Sequence, residues 1–201
     1  MRRLNFLPLP VVAGWAAAKP QTFKLSVRVE PLFPGLALEK QIAKVAEAGY
    51  QGFEFGNWRE PDATAINKLK NRLGLECVCI VGNRGVNPIG MGLCNPAERP
   101  GFLGEISASI DAAHRFETNA LVVLSGFKVP GMPRDQQRAS IVEGLKQASG
   151  LSSKAGVSLI VEVINTLAEI EPLNPKGDNH ANYYLDRTSE AFEIMRMVDN
   201  P

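Results

Sequence analysis

Glu162 has the clearest potential for chemistry in this sequence, because it lies inside the apolar run L-I-V-E-V-I-N at residues 159–165. An ionised carboxylate among aliphatic side chains is costly unless it is hydrogen-bonded, ion-paired or bound to a metal. The alternatives for Glu162 are a general acid or base, a metal ligand, one half of a buried ion pair, or a glutamate that faces the helices and reaches out to solvent. Asn165 follows directly, where the run meets a polar loop, and is a candidate for binding substrate. This placement favours a chemical role for Glu162.

A second carboxylate, Glu54, lies in the apolar string G-F-E-F at residues 52–55. It could orient a substrate hydroxyl group, or it could pair with Arg28 on a neighbouring strand, and both alternatives stay open. Asn83 follows a third apolar run and is suited to a polar contact with substrate. His180 lies in the polar loop at 178–182 and is a further candidate for substrate contact, although a solvated loop histidine is the more common case.

Several familiar catalytic patterns are absent from the sequence. There is no Ser-His-Asp order, nucleophile elbow or phosphate loop, and the glycines at 82–92 lack the spacing of a dinucleotide fingerprint. Cys77 and Cys79 lie two residues apart and should share one face of a strand as small buried hydrophobic residues. A disulfide from Cys94 to one of them is an alternative that requires an oxidising compartment.

The elements that must position these residues alternate between apolar runs and amphipathic helices. Strands are predicted at residues 24–29, 52–55, 77–81, 120–124 and 158–163, and helices at 36–48, 62–73, 102–116, 133–156 and 188–198. Strands that are apolar on both faces and alternate with helices favour a parallel sheet covered by helices. Long loops follow the strands, at 82–101 and 166–187, and in a barrel such loops form the ligand-binding face.

The predicted fold class is therefore α/β, of the (β/α) TIM-barrel type, and an open doubly wound sheet is the alternative. About five βα units are visible, and the sequence ends at Pro201, where a sixth strand is expected. The prediction is a barrel truncated after its fifth unit. A half-barrel leaves an apolar sheet edge exposed, which predicts a homo-oligomer.

The amino-terminal residues have the composition of a secretory signal peptide. Arg2 and Arg3 precede an uncharged run at 6–18, which ends in three alanines and is too short to span a bilayer. The arginines loosely match a twin-arginine signal. These features predict a signal peptide at 1–18, a barrel domain at 19–201, and a periplasmic or exported protein. A cytoplasmic protein with a disordered apolar tail is the alternative.

The charge balance narrows the class of ligand. The sequence has 22 basic and 21 acidic side chains, with no basic block or acidic tail. Nucleic acid and membrane surfaces are therefore disfavoured as partners of the mature protein. A small uncharged or singly charged substrate fits this balance better.

Three strings carry a resemblance to a known family: A-G-Y-Q-G-F-E-F at 48–55, I-V-E-V-I-N-T at 160–166 and N-Y-Y-L-D-R-T at 182–188. The sequence resembles the hydroxypyruvate isomerase group of the xylose isomerase-like (AP endonuclease family 2) TIM barrels. The resemblance implies that Glu162 is a catalytic acid/base and, in metal-dependent members, a ligand of Mg or Mn. Its partners in the family lie on the sixth, seventh and eighth strands, beyond Pro201.

The chemistry that the resemblance implies is an aldose–ketose type isomerisation, most like that of hydroxypyruvate to 2-hydroxy-3-oxopropanoate. A ketose 3-epimerase would use the same glutamate and is the second reading. An endonuclease IV-like activity is disfavoured, because it needs several metal-binding histidines and the sequence has two in all. An inactive half-barrel with only a binding role is the non-enzymatic alternative.

Overall fold

The computed structural model describes residues 23–83, 92–164 and 182–200. The predicted signal peptide at 1–18, Asn165 and His180 lie outside the described residues. Export to the periplasm and the two substrate-contact assignments therefore stay predictions.

Five parallel strands form one sheet in the order in which they occur along the chain. They are β1 Ser26–Arg28, β2 Gly52–Phe55, β3 Glu76–Val81, β4 Ala120–Val123 and β5 Ser158–Val161. A doubly wound sheet reverses its strand order near the middle, whereas a barrel adds each new strand beside the previous one. The sequential order confirms the α/β barrel prediction and rules out the open-sheet alternative.

The predicted helices are all present among the described residues. They are α2 Leu38–Glu47, α3 Ala63–Leu73, α4 Arg99–Arg115, α5 Arg134–Lys154 and α6 Thr188–Val198. Two short elements were not predicted: helix α1 Val29–Leu32 and a 3-10 helix at Pro96–Glu98. Asp62 caps α3, because its side chain accepts a hydrogen bond from the Thr64 N–H at 2.9 Å. No helix in the described ranges is long and apolar enough to cross a bilayer.

The two faces of the sheet differ in what covers them. Alternate residues of each strand, such as Phe53, Phe55, Leu121 and Val123, pack into the main core beneath the helices. The residues between them form the inner face, which in a barrel faces the lumen. Ile160 on this inner face is 46% exposed. Inner-face side chains at the β5 edge are therefore accessible to solvent in this chain.

A β-bulge in β3 corrects the expectation for the cysteines. Phe53 pairs with Cys77 while Glu54 pairs with Cys79, so Val78 is an extra residue in the strand. Cys77 packs in the core beneath the helices, whereas Cys79 lies in an inner-face cluster with Ala120 and Val122. The prediction that the two cysteines share one face is wrong. All three cysteines are free and buried, so the alternative of a disulfide from Cys94 is not realised.

Candidate active site at the carboxyl ends of the strands

Glu162 lies one residue beyond β5, at the carboxyl end of the sheet. Its backbone N–H donates to the Val123 carbonyl at 3.0 Å, which continues the parallel ladder past the end of the strand. Leu159, Val161 and Val163 pack against the core beneath the helices. Alternation therefore places the half-buried Glu162 on the inner face. This position rules out a glutamate that faces the helices and leaves an acid/base or ligand role open to it.

Apolar side chains enclose the inner face directly beyond Glu162. Leu124, Ile164 and Tyr183 form a small buried cluster there. The Tyr183 ring also contacts Phe127 edge to face, with the ring centroids 4.8 Å apart. An ionisable group beside such a cluster is partly shielded from water, which strengthens its electrostatic interactions with a bound substrate.

The residues that bring Tyr183 to this position form a return segment, defined here as residues 182–187. The Tyr184 N–H donates to the Gly126 carbonyl at 3.0 Å, and the Leu185 N–H donates to the Ser125 hydroxyl oxygen at 3.0 Å. The Leu185 carbonyl accepts a hydrogen bond from the Ile164 N–H at 3.0 Å. The return segment therefore crosses the ends of β4 and β5 and ties them together. The sequence marked this string as a motif but indicated no structural role for it.

A group of charged residues holds the return segment against the first turns of α5 and α6. We call it the α5–α6 ion cluster; its members are Lys128, Arg134, Tyr184, Asp186 and Glu190. The Tyr184 hydroxyl donates to Glu190 Oε1 at 2.8 Å, and Arg134 forms an ion pair with Glu190 while lying 4.4 Å over the Tyr184 ring. Asp186 contacts Lys128 at 3.2 Å and Arg134 at 3.5 Å.

The electrostatics of this cluster favour the charged forms of its acids. Burial alone would raise the pKa of Glu190, but the hydrogen bonds from Arg134 and Tyr184 outweigh it, so the pKa is lowered. Asp186 follows the same pattern, with Lys128 as its main partner. Burial and the bond to Glu190 raise the pKa of Tyr184 to about 12. Asp186, Glu190 and Arg134 are therefore charged at neutral pH, whereas Tyr184 is neutral.

On the opposite side of the sheet, Glu54 lies on the inner face of β2. It accepts a hydrogen bond from the Cys79 thiol, with Sγ and Oε2 3.3 Å apart. Burial raises the pKa of that thiol, and Glu54 raises it further, so Cys79 is a neutral donor rather than a nucleophile. The proposed ion pair of Glu54 with Arg28 is not the one that forms, because Arg28 pairs with Glu30 at 3.3 Å. Substrate binding by Glu54 stays a prediction.

Asn83 has a clear structural role. Its amide nitrogen donates to the Leu124 carbonyl at 2.9 Å, and its amide oxygen accepts from the Leu124 N–H at 2.9 Å. The side chain thus imitates a strand and extends the contact between β3 and β4 beyond the point where both strands end. Asn83 is 1% exposed. Its predicted contact with substrate remains untested.

The loop after β4 is fixed by a close approach of two backbones. Gly126 has φ of 81°, and a Cβ atom built on it would overlap Gly92. The Cys94 N–H donates to the Ser125 carbonyl at 3.2 Å beside this contact. Only glycine fits the position without strain, because it tolerates positive φ and lacks a side chain.

The resemblance implies a divalent ion at Glu162 in the metal-dependent members of the family. Carboxylate oxygen suits Mg and Mn, so the donor type of Glu162 fits. Within residues 23–83, 92–164 and 182–200, however, no three His, Cys, Asp or Glu side chains are grouped so that they could hold an ion. The described part of the chain therefore does not supply a complete metal site, and no chemical step is assigned to a metal here.

Comparison with known proteins agrees with this architecture. The family model described as xylose isomerase-like TIM barrel matches residues 42–201. A putative hydroxypyruvate isomerase from Danio rerio is 24% identical over 178 residues, which are 85% of this chain and 59% of the relative. A 2-oxo-tetronate isomerase from Pectobacterium atrosepticum is 20% identical over 182 residues, which are 89% of this chain and 64% of the relative.

Among solved structures, the AP endonuclease of family 2 from Brucella melitensis is similar, with a TM-score of 0.73 and 19% identity. The alignment covers 89% of this chain and 66% of that chain. The chain thus spans about three fifths of the length of the curated relatives that it matches. On the family match and the parallel sheet, the chain belongs to the xylose isomerase-like TIM barrel family.

Proposed function

We propose that this protein isomerises a small hydroxy-carbonyl compound, most like hydroxypyruvate, and that Glu162 is the acid/base. The observation that carries the proposal is the position of Glu162 on the inner face, at the carboxyl end of β5. In barrels of this kind, active sites lie at that end of the strands. The names of the two curated relatives, both isomerases, support the same reaction class.

In the proposed reaction, the Glu162 carboxylate removes a proton from C3 of hydroxypyruvate. The C–H electrons form the C2–C3 double bond of an enediolate, and the C2 carbonyl oxygen becomes anionic. The C3 hydroxyl then passes its proton to the C2 oxygen, and protonated Glu162 returns the abstracted proton to C2, which gives the aldehyde, 2-hydroxy-3-oxopropanoate. No atom is gained or lost overall, so the reaction needs an acid/base and a shielded site, and no redox partner.

The surroundings of Glu162 suit such a proton transfer. The hydrogen bond from its N–H to the Val123 carbonyl fixes the backbone of Glu162, so the point from which the side chain extends is defined. The buried side chains of Leu124, Ile164 and Tyr183 limit the access of water on one side. Limited water access protects an enediolate from stray protonation.

The test is to incubate the full chain with hydroxypyruvate in D2O and to follow product formation and deuterium entry at C3 by proton NMR. The variant Glu162→Gln should lower the rate by about 10² to 10⁴-fold, the usual contribution of a positioned acid/base. The control is Glu39→Gln, since Glu39 is an exposed glutamate of α2. Equal rates for Glu162→Gln and the wild type would remove Glu162 from the mechanism.

The same assay separates the alternatives. Conversion of a ketose at C3, without turnover of hydroxypyruvate, would indicate the epimerase reading. The absence of both product and deuterium exchange with either substrate would indicate a half-barrel that only binds.

A further inference from the structure

Arg28, the last residue of β1, lies on the inner face of the sheet. Its neighbour Val27 packs against the core beneath the helices, so alternation turns Arg28 to the other side. Arg28 pairs in register with Glu54, which also lies on the inner face. Burial raises the pKa of the inner-face Cys79 thiol, and the charge of Arg28 partly offsets that rise. Arg28 is therefore close to the inner-face residues of both β2 and β3.

The strand register relates Arg28 to Glu162. Arg28 pairs with Glu54, Glu54 with Cys79, and Ala120 with Ser158, while the pairing of Ile80 with Leu121 sets Cys79 opposite Ala120. When these pairings are followed from strand to strand, the residue of β5 that corresponds to Arg28 is therefore Ser158. In an eight-stranded TIM barrel the strands are staggered, so that a row of hydrogen-bonded residues is displaced by about eight residues after one full circuit. Between β1 and β5, which are four steps apart, residues at the same height along the barrel axis are therefore displaced from that row by about four residues.

Four residues after Ser158, counted towards the carboxyl end, is Glu162. In the barrel geometry, β1 and β5 are on opposite sides, so Arg28 and Glu162 face each other at about the same height. The lumen of a barrel of this size is only wide enough for side chains or one small ligand. A compound of three or four carbons could therefore touch both residues at once.

The guanidinium group of Arg28 forms an ion pair with Glu30 and lies beside Gly56. Its Nε lies 3.3 Å from Glu30 Oε2, and the other oxygen of Glu30 accepts a hydrogen bond from the Gly56 N–H. Nη2 occupies the space beside Gly56, where an added Cβ would lie 2.6 Å from it. The side chain is still 42% exposed. A glycine at position 56 thus leaves room for the guanidinium on the inner face.

Of the two carboxylates near Arg28, Glu30 pairs with its Nε and also accepts a hydrogen bond from the Gly56 N–H, whereas Glu54 accepts a hydrogen bond from the Cys79 thiol. Lys128 and Arg134, two other cations near this end of the sheet, belong to the α5–α6 ion cluster and pair with Asp186 and Glu190. A partly exposed guanidinium on the inner face is suited to bind a carboxylate through two parallel hydrogen bonds.

We propose that Arg28 binds the carboxylate of the substrate and thereby selects a short 2-oxo acid over a neutral ketose. The carboxylate of a three- or four-carbon acid lies on Arg28 while its reactive C–H group lies at Glu162. The proposal rests on the proposed isomerase function, and names the substrate class of that same site.

The test compares hydroxypyruvate with dihydroxyacetone, in which a neutral hydroxymethyl group replaces the carboxylate. The full chain is assayed as wild type, Arg28→Gln and Arg28→Lys. Arg187→Gln is the control for net charge, because the Arg187 side chain is 78% exposed. We expect Arg28→Gln to lower kcat/KM for hydroxypyruvate by about 10- to 100-fold, mainly through KM, the usual effect of losing a charged hydrogen bond. Dihydroxyacetone turnover should change by less than about twofold, and Arg28→Lys should restore part of the loss.

A uniform loss for both substrates would show that Arg28 supports the fold rather than the substrate, and would overturn the proposal. Wild-type preference for dihydroxyacetone would overturn it as well. Calorimetric titration with pyruvate gives a readout that does not depend on turnover. If neither substrate is converted, the proposed function fails. Pyruvate binding that is lost in Arg28→Gln and kept in Arg187→Gln would still support carboxylate recognition, whereas unchanged or undetectable binding would contradict it.

Discussion

The two sides of the candidate site are built differently. On the β4–β5 side, Glu162 lies beside buried apolar residues, and the return segment is fixed by backbone bonds and by the α5–α6 ion cluster. On the β1–β2 side, the side chains of Arg28 and Glu30 are 42% and 35% exposed, and they pair chiefly with each other. One side therefore depends on packing and buried polar contacts, and the other on exposed charge.

This difference indicates a division of labour between the two sides. In the proposed reaction the base must be held within a narrow range of positions, and the hydrogen bonds of the β4–β5 side suit that need. In the proposed recognition of a carboxylate the cation needs some access to solvent, which Arg28 on the β1–β2 side has. Substitutions on the first side should therefore reduce stability, and those on the second should change substrate selection with little effect on stability.

The largest expected effect on stability comes from Glu190→Ala. Glu190 is 6% exposed, and its removal takes the carboxylate acceptor from the Tyr184 hydroxyl and leaves Arg134 with only its longer contact to Asp186. We expect a loss of about 3 kcal/mol in the free energy of unfolding, measured by urea denaturation. The control is Glu193→Ala, where an exposed ion pair with Arg138 is lost and the cost should stay below about 1 kcal/mol. Equal costs for both variants would contradict the view that this side is held by buried charge.

A smaller effect is expected from Gly126→Ala on the same side. The new methyl group would overlap Gly92 in addition to straining the backbone at φ of 81°. Gly131→Ala is a matched control, since Gly131 has φ of 78° and nothing within 4 Å of an added Cβ. The control should cost about 1 kcal/mol for the dihedral strain alone, and Gly126→Ala about 2 kcal/mol in all. Thermal unfolding of the two variants side by side measures the cost of the close backbone contact.

Acid should weaken the β4–β5 side selectively. The pKa values of Glu190 and Asp186 are lowered in the folded protein, so their stabilising contribution is present above the unfolded values of 4.5 and 3.8. It is lost as the pH falls through the lower folded values. We expect the free energy of unfolding to fall steadily below about pH 4.5 in the wild type and less steeply in Glu190→Gln. Parallel curves for the two proteins would show that other carboxylates dominate acid unfolding.

The smallest change in stability is expected for Arg28→Gln on the β1–β2 side. The ion pair that it removes joins two partly exposed side chains, and such pairs contribute about 0 to 1 kcal/mol. The midpoint of urea denaturation should therefore shift little, although selection between hydroxypyruvate and dihydroxyacetone changes. A loss of stability close to that of Glu190→Ala would break the comparison between the two sides.

Local sequence patterns predict much of this fold. The caps and glycines that begin and end helices act within a few residues, so Asp62 and Gly74 mark the ends of α3 correctly. Helix α1 is not apparent from the sequence, because proline commonly interrupts a helix, although Pro31 lies in the first turn, where its missing N–H loses no hydrogen bond.

The candidate site is less accessible to prediction from sequence. An apolar run shows that Glu162 is unusual, but alternation fixes its face only once the packing of Val161 and Val163 is known. The bond between Tyr184 and Glu190 is local, yet its partner Arg134 is about fifty residues away in the chain. The pairing of Asn83 with Leu124 is equally remote. Contacts between distant segments depend on the tertiary fold, which no local pattern encodes.

The extra residue in β3 has a consequence for how changes spread along that strand. On the amino side of Val78 the odd-numbered Cys77 faces the helices, whereas beyond it the odd-numbered Cys79 and Val81 face the lumen. The bulge therefore reverses whether odd- or even-numbered residues of β3 face the lumen. In the amino half of β3, the alternation of side chains between the two faces follows from the turn at Gly74. In the carboxyl half, the alternation is the one that brings Asn83 to Leu124. A change of register in the amino half of β3 can therefore be taken up at Val78, without changing which side chains face the lumen at the carboxyl end of the strand.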